Sequence, residues 1–166
     1  MAIEIERKFL VCGDDWRRDV SRRDEIRQAY LYSGKRSSAR VRIKNNQTAT
    51  LTVKSRAAEL RRLEVEHPVS VIDAEALLAL RESSLIHKVR HTVRCGDHVW
   101  EVDVFRGDNA GLIIAEIELR HENEFFQRPS WVGVEVTGQQ QYYNSALART
   151  PYWHWSTSLQ ASTAAG

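Results

Sequence analysis

Like-charged residues recur two positions apart on segments that otherwise alternate as β-strands. Residues i and i+2 of a strand share one face, and like charges placed side by side there repel. The acids pair as Glu4/Glu6, Glu64/Glu66, Glu101/Asp103 and Glu116/Glu118; the bases pair as Arg40/Arg42 and Lys88/Arg90, with Lys8 and Lys54 standing singly. The opposite faces are apolar, as in Leu51 and Val53 or Trp100, Val102 and Val104. A solvated strand face has no need of such sorting. A divalent cation satisfies paired carboxylates, and a polyphosphate satisfies paired Arg and Lys. One site holding both ligands accounts for every pair.

Eight segments carry the alternation: residues 3–9, 28–32, 39–44, 48–54, 62–66, 88–94, 99–105 and 114–119. Asn45-Asn46-Gln47 and Cys95-Gly96-Asp97 supply turn signals between neighbouring strands. Helices are predicted over 73–80 with Asp73 as N-cap, over 140–149, and as short pieces within 15–27 and 121–127. The expected fold is mainly β (α+β): an eight-stranded antiparallel β-barrel tunnel with a polar lumen, flanked by a few helices. About eight strands enclose room for one small ligand. With the charges inside, the apolar faces point outward and need cover. Trp100, Val102, Val104 and the Leu77-Leu78-Leu80 helix are the candidates for that packing.

Composition narrows the class. The 166 residues fit one domain, and 42% hydrophobic with 28% charged residues excludes a disordered chain. No apolar run reaches the ~18 residues of a membrane helix. A net charge of +2 does not mark a nucleic-acid binder. Cys12 and Cys95 show no CxxC spacing, and Met1-Ala2-Ile3-Glu4 starts no signal peptide, so the expectation is a cytoplasmic protein without a disulfide. Residues 1–150 are read as the domain. Residues 151–166, ending in Ser, Thr, Ala and Gly, are read as a mobile tail without core contribution. The six His residues lack zinc-site spacing, and His87 and His91 are read as structural.

The signatures fall in a recognisable order: Glu4-x-Glu6-x-Lys8, Arg40-x-Arg42, Thr52-x-Lys54, Glu64-x-Glu66, Lys88-x-Arg90, Glu101-x-Asp103 and Glu116-x-Glu118. Gly133-Val134-Glu135-Val136-Thr137 and Tyr142-x-Asn144-x-x-Leu147-Ala148 close the series. This set resembles the CYTH domain, or triphosphate tunnel metalloenzyme, family over roughly residues 1–150, and its short bacterial inorganic triphosphatases in particular. The resemblance implies a tunnel binding a triphosphate and divalent metal (Mg²⁺ or Mn²⁺), and a homodimer. It assigns metal binding to Glu4, Glu6, Glu116 and Glu118, with Asp103, Glu64 and Glu66 as further acidic positions. It assigns phosphate binding to Lys8, Arg40, Arg42, Lys54, Lys88 and Arg90, and places Tyr30 near the phosphates. The sequence departs from the family pattern at Gln139-Gln140-Gln141, where members often carry a Lys; Arg149 substitutes only if its helix turns inward.

No G-x-S-x-G elbow, P-loop or G-x-G-x-x-G occurs. Phosphoryl transfer requires charge neutralisation and positioning more than covalent chemistry. The expected function is metal-dependent hydrolysis of inorganic triphosphate or a related organic triphosphate. Lys88 and Tyr30 are the catalytic candidates, Lys88 because a lysine exchanges its proton where an arginine does not. An adenylate cyclase of the same scaffold and a non-catalytic polyphosphate-binding module are the alternatives.

Overall fold

The computed structural model describes residues 5–55 and 64–164. Nine strands form one antiparallel sheet: β1 (Ile5–Val11), β2 (Val20–Ser33), β3 (Ser37–Lys44), β4 (Thr48–Ser55), β5 (Glu64–Val69), β6 (Ile86–Cys95), β7 (His98–Arg106), β8 (Ile113–Leu119) and β9 (Val132–Glu135). Their order across the sheet is β5-β4-β3-β2-β6-β7-β8-β1-β9. Three helices accompany it: α1 (Val71–Ala79), α2 (Asn144–Arg149) and α3 (Thr157–Ala164).

The register decides which residues share a face. Lys8 lies opposite Glu116, Glu116 opposite Glu101, and Asp103 opposite Arg90. Lys88 lies opposite Ile26, Gln28 opposite Arg42, Arg40 opposite Thr52, and Lys54 opposite Glu64. Directly paired residues of an antiparallel ladder point the same way. All the described charged pairs therefore lie on one face, continuous across eight strands. This is the lumen face of the sequence reading.

The sheet curls about that face. Neighbouring strands are spaced ~4.8 Å apart, so in a flat sheet β1 and β2, with three strands between them, would be ~19 Å apart. Yet the Lys8 ammonium on β1 acts on the Tyr30 hydroxyl on β2, and Asp103 on β7 acts on Arg42 on β3. The hairpin between β3 and β4 closes on Asn45 and Asn46, both at φ +54°. That is the double left-handed geometry of a tight hairpin, which Asn tolerates.

Apolar packing occupies the outer face in two places. Ala74 and Leu78 of α1 cover Ala29, Val41, Ile43 and Ala49 on β2, β3 and β4. Ser70 caps this helix, its Oγ accepting from the Asp73 N–H, so the cap stands three residues before the predicted one. Leu77 packs alongside, but Leu80 is exposed and covers nothing. The second patch joins Phe9, Trp16, Trp100, Val102, Ile117 and Trp131. Its rings meet edge to face, with Trp100 5.5 Å from Phe9 and 5.6 Å from Trp131. His91 completes it, its ring 4.9 Å from Trp16 and its Nδ1 against the Val102 carbonyl, a structural role as expected.

A third cluster stoppers one end of the lumen. Leu10, Ile86, Phe105 and Ile114 continue the lumen face beyond the charged residues and pack with Tyr142, Leu147, Ala148, Tyr152 and Trp155. This corrects the reading of the chain end as a tail without core contribution. Tyr152 and Trp155 are in the core, α3 follows, and the Tyr142 hydroxyl meets Thr163 Oγ1 at 3.1 Å. Low local hydrophobicity hid a segment that two aromatic rings anchor.

Five other differences separate the structure from the sequence reading. The sheet has nine strands rather than eight, because short β9 adds to β1 at the edge. Its ladder joins no pair between β5 and β9 among the described residues, so closure by hydrogen bonds is not complete. The segment 15–27, predicted as helix, is a 3₁₀ turn over Asp15–Asp19 followed by β2. Its charges alternate between the two faces of a strand that pairs on both sides, and pairing overrides propensity. Residues 121–127 form no helix. Residues 140–149 divide into a 3₁₀ turn at Gln140–Tyr142 and α2.

The stopper provides a measurement. Trp155→Ala is expected to lower unfolding stability by about 3 kcal/mol, the usual cost of truncating a large buried ring, read by urea denaturation. An unchanged midpoint would mean that the chain end contributes nothing to the core.

Candidate functional site

Next to the apolar stopper, each strand presents its charged lumen residue. Asp103 is at the centre and has no exposed surface. Arg90 grips it with two bonds, Nε to Oδ1 at 2.7 Å and Nη2 to Oδ2 at 2.8 Å. The fully buried Lys88 ammonium bonds Oδ2 as well. Arg90 also reaches Glu116 Oε2 at 2.8 Å and bonds Glu101. Lys8 joins Glu116 to Glu6. Six of the paired charges thus form one chain, Glu6–Lys8–Glu116–Arg90–Asp103–Lys88, with Glu101 as a branch.

Electrostatics follows from that chain. Burial works to raise the Asp103 carboxyl, but the Lys88 and Arg90 charges outweigh it and hold the group below the usual carboxylate range. Glu116 is likewise held down, against burial and Asp103, by Lys88, Lys8 and Arg90. Burial and then Arg90 push the Lys88 ammonium below an ordinary lysine, although Asp103 opposes them. Glu101 moves up, chiefly through burial.

Arg40 and Arg42 differ from the rest. Neither has a carboxylate partner among the described residues, and the Nε of Arg40 is buried with no hydrogen bond. Arg42 donates from Nε to the Gln28 Oε1 at 2.9 Å. Removal from water, with Arg40 and Arg90 nearby, brings its guanidinium down to about 10, so it stays charged at neutral pH. Tyr30 lies against both arginines; burial raises its hydroxyl and keeps it a neutral phenol.

The remaining predicted residues lie at the margins. Lys54 pairs with Glu64 at 2.9 Å, and Glu66 accepts from Thr52 Oγ1 at 3.0 Å, both on the β4–β5 edge. Glu118 is exposed and opposite Glu6 in the β1–β8 ladder. Glu4 lies outside the described residues. The structure therefore gathers Glu6, Lys8, Lys88, Arg90, Asp103 and Glu116 into direct contact, with Glu118 opposite Glu6, Arg40, Arg42 and Tyr30 grouped beside them, and Glu64 and Glu66 engaged with β4. Arg149 is exposed and does not turn inward. Tyr143, beside the Gln139–Gln141 stretch, instead places its ring 5.7 Å from Lys8 Nζ.

Two lumen residues were missed. Asp24 is buried among Lys44, Arg22 and the Asn45 amide, and was hidden by the helical reading of its segment. Gln28 has no exposed surface; its polarity inside an otherwise apolar-alternating strand was the available signal.

The lumen opens away from the stopper into a cavity of about 1420 Å³, walled by Glu6, Arg90, Glu101, Glu116 and Glu118. Across this wall Glu6 faces Glu118, and Glu101 faces Glu116, as direct ladder partners. Like charges so placed repel. Carboxylate oxygens are the hard donors that a divalent cation of the Mg²⁺, Mn²⁺ or Ca²⁺ type takes, so the donor set fits such an ion. No group of three or more ligand side chains is already drawn together among the described residues. The carboxylates turn to Lys8 and Arg90 instead.

Asp103→Asn should leave Lys88 and Arg90 in the interior without their shared anion. A loss of about 3–5 kcal/mol is expected by denaturant titration. Because the folded carboxyl is depressed, its contribution is full above the unfolded value of ~3.9 and disappears as pH falls through the folded value. The variant's melting temperature should therefore fall less steeply than wild type below pH ~4. Parallel curves would show that Asp103 does not anchor the pair.

Comparisons with known proteins agree with this geometry. The CYTH domain model matches residues 2–150. The chain is 42% identical over 153 residues to an inorganic triphosphatase of Acetivibrio thermocellus, covering 92% of this chain and 97% of that protein. It is 34% identical over 151 residues to an inorganic triphosphatase of Nitrosomonas europaea, covering 87% and 96%. The crystal structure of the inorganic triphosphatase NE1496 superposes with a TM-score of 0.70 at 32% identity, over 89% of this chain and 95% of that one. With a charged lumen in the same order as its signatures, this chain belongs to the CYTH domain family.

Proposed function

We propose that the protein hydrolyses inorganic triphosphate in a reaction that depends on a divalent metal, Mg²⁺ or Mn²⁺. The observation that carries this is the division of one lumen face. Arg40 and Arg42 are cationic without carboxylate partners among the described residues, while a few strands away carboxylates face carboxylates. A polyanion meets the first need and a divalent cation the second. The relatives named inorganic triphosphatase support the choice of substrate.

In this reading Arg40, Arg42, Lys8, Lys54 and Arg90 hold the phosphates. Glu6, Glu116 and Glu118, with Glu4, hold the metal, and Glu64 and Glu66 extend the acidic wall. The cation supplies charge neutralisation at phosphoryl oxygens and makes attacking water more acidic. Asp103 serves differently from the metal role expected of it. Unlike Glu116, which lines the cavity, it has no exposed surface, and both its oxygens are engaged by Arg90 and Lys88, so it positions those two cations. Lys88, desolvated and lowered, is placed to give its Nζ proton to the leaving phosphate oxygen. Tyr30, a neutral phenol beside Arg40 and Arg42, donates its hydroxyl proton in a hydrogen bond to a phosphoryl oxygen.

The internal ion pairs give binding a particular energetics. Lys8 and Arg90 neutralise Glu6, Glu101 and Glu116 before any ligand arrives. A phosphate that took these cations would leave the carboxylates exposed to one another, and Glu6, Glu116 and Glu118 would then be free to hold a divalent cation that restores the counter-charge. Each ligand thereby lowers the cost of binding the other, a reciprocal coupling.

Two further readings belong with this one. A homodimer has a candidate face on the outer side of β4–β5, where Val53 and Val65 pair in register and remain exposed. A cytoplasmic setting follows the sequence reading, in which Cys12 and Cys95 show no CxxC spacing.

Phosphate release from tripolyphosphate, ATP and thiamine triphosphate, each with Mg²⁺, Mn²⁺ or EDTA, tests the proposal. Tripolyphosphate should be hydrolysed fastest, and EDTA should abolish turnover. Cyclic AMP formed from ATP would replace the hydrolase reading with a cyclase. A rise in melting temperature without turnover would leave a binding module. Glu118→Gln should lower metal-dependent kcat/KM at least a hundredfold with little change in stability, since the side chain is exposed.

A further inference from the structure

A buried amide in the lumen is left half-satisfied by the arrangement. Gln28 lies on the lumen face of β2, paired in the ladder with Arg42 on one side and Ile86 on the other, and has no exposed surface. Its Oε1 accepts from Arg42 Nε at 2.9 Å, but its Nε2 is buried with no hydrogen-bond partner. The orientation of the amide is fixed by its neighbour. Arg42 Nε can only donate, so turning the amide over would set donor against donor. Two N–H donors therefore remain unmet inside the protein. Buried polar groups are nearly always satisfied, and an exception calls for an explanation.

Its surroundings supply one. Arg42 is tied at Nε to Gln28, which leaves its Nη atoms for another acceptor, and no carboxylate among the described residues takes them. Arg40, the next lumen residue on β3, has a buried Nε that is likewise unpartnered. Gln28 Nε2, Arg40 Nε and the Arg42 Nη atoms thus stand together on adjacent β2 and β3 with no carboxylate acceptor among the described residues, the Tyr30 hydroxyl lying against Arg40. An oxyanion is the ligand chemistry that satisfies them all at once.

We propose that Gln28 is a further substrate-binding residue: its Nε2 donates to a non-bridging phosphoryl oxygen of the triphosphate, while its Oε1 fixes the Arg42 guanidinium that grips the same phosphate. This rests on the reading that phosphates occupy the lumen. The amide gives the site a neutral donor that, unlike a lysine or arginine, adds no charge to the repulsion among Arg40, Arg42 and Arg90.

The test compares wild type, Gln28→Met and Gln28→Glu with tripolyphosphate, by Kd in EDTA and by KM with the metal that supports turnover. Gln28→Met keeps the length and removes both polar atoms. It should fold with a melting temperature near that of wild type and weaken binding about ten- to a hundredfold, the range for a hydrogen bond to a charged acceptor. Gln28→Glu keeps the acceptor for Arg42 but replaces the donor with an anion, and should weaken binding further still. Unchanged Kd and KM in both variants would overturn the proposal while leaving the phosphate-lumen reading intact. Failure of wild type to bind or hydrolyse tripolyphosphate would overturn both. Adding Gln28→Met to Arg42→Met separates contact from orientation. A further several-fold loss supports direct contact, and no further loss means that Gln28 acts only through Arg42, against the proposal.

Discussion

The buried Asp103 carboxylate, shared between Lys88 and Arg90, is the interaction on which the lumen depends. A lysine without exposed surface has a large desolvation cost, which only a well-placed anion offsets. Asp103 meets that requirement with both oxygens. The same contact fixes Arg90, and Arg90 in turn positions Glu116 and Glu101. Removing the central carboxylate would disturb a chain of charges running from β6 through β7 and β8 to β1.

That chain explains how a tunnel of charge exists inside a chain of net charge +2. Acids and bases cancel locally, strand by strand, so the lumen does not repel itself apart before ligands bind. The apolar side chains that a smaller soluble domain would place inside lie instead on the outer face, under α1 and around Trp16, Trp100 and Trp131. One apolar cluster stays on the inner side, and it closes an end. The charged residues therefore lie between the Trp155 stopper and the open cavity.

The arrangement also separates residues by task. Glu6, Glu116 and Glu118 border open space and face other carboxylates, whereas Asp103 is spent on cations. Arg40 and Arg42 have no carboxylate partner among the described residues, and Gln28 steadies one of them. Strand parity cannot express that difference, because Glu101 and Asp103 look alike as a pair in sequence and differ only in what surrounds them.

The amino-acid sequence by itself determined the antiparallel strands, their shared charged face and the family signatures, because period-two alternation is a local property that reports which side of a strand a residue occupies. It also marked Asn45-Asn46 as a turn, and it read His91 as structural or surface, a choice that packing against Trp16 decided. Tertiary structure decided the rest. Residues 20–27 became strand because β6 pairs along their whole length and β3 joins the other edge from Ile26. The chain end entered the core because Tyr152 and Trp155 find an apolar lumen end built from β1, β6, β7 and β8. Which carboxylate bonds which cation depends on curvature, since Lys8 approaches Tyr30, and Arg42 feels Asp103, only once the sheet has curled. No local pattern encodes a contact between strands that are distant in both sequence and sheet order.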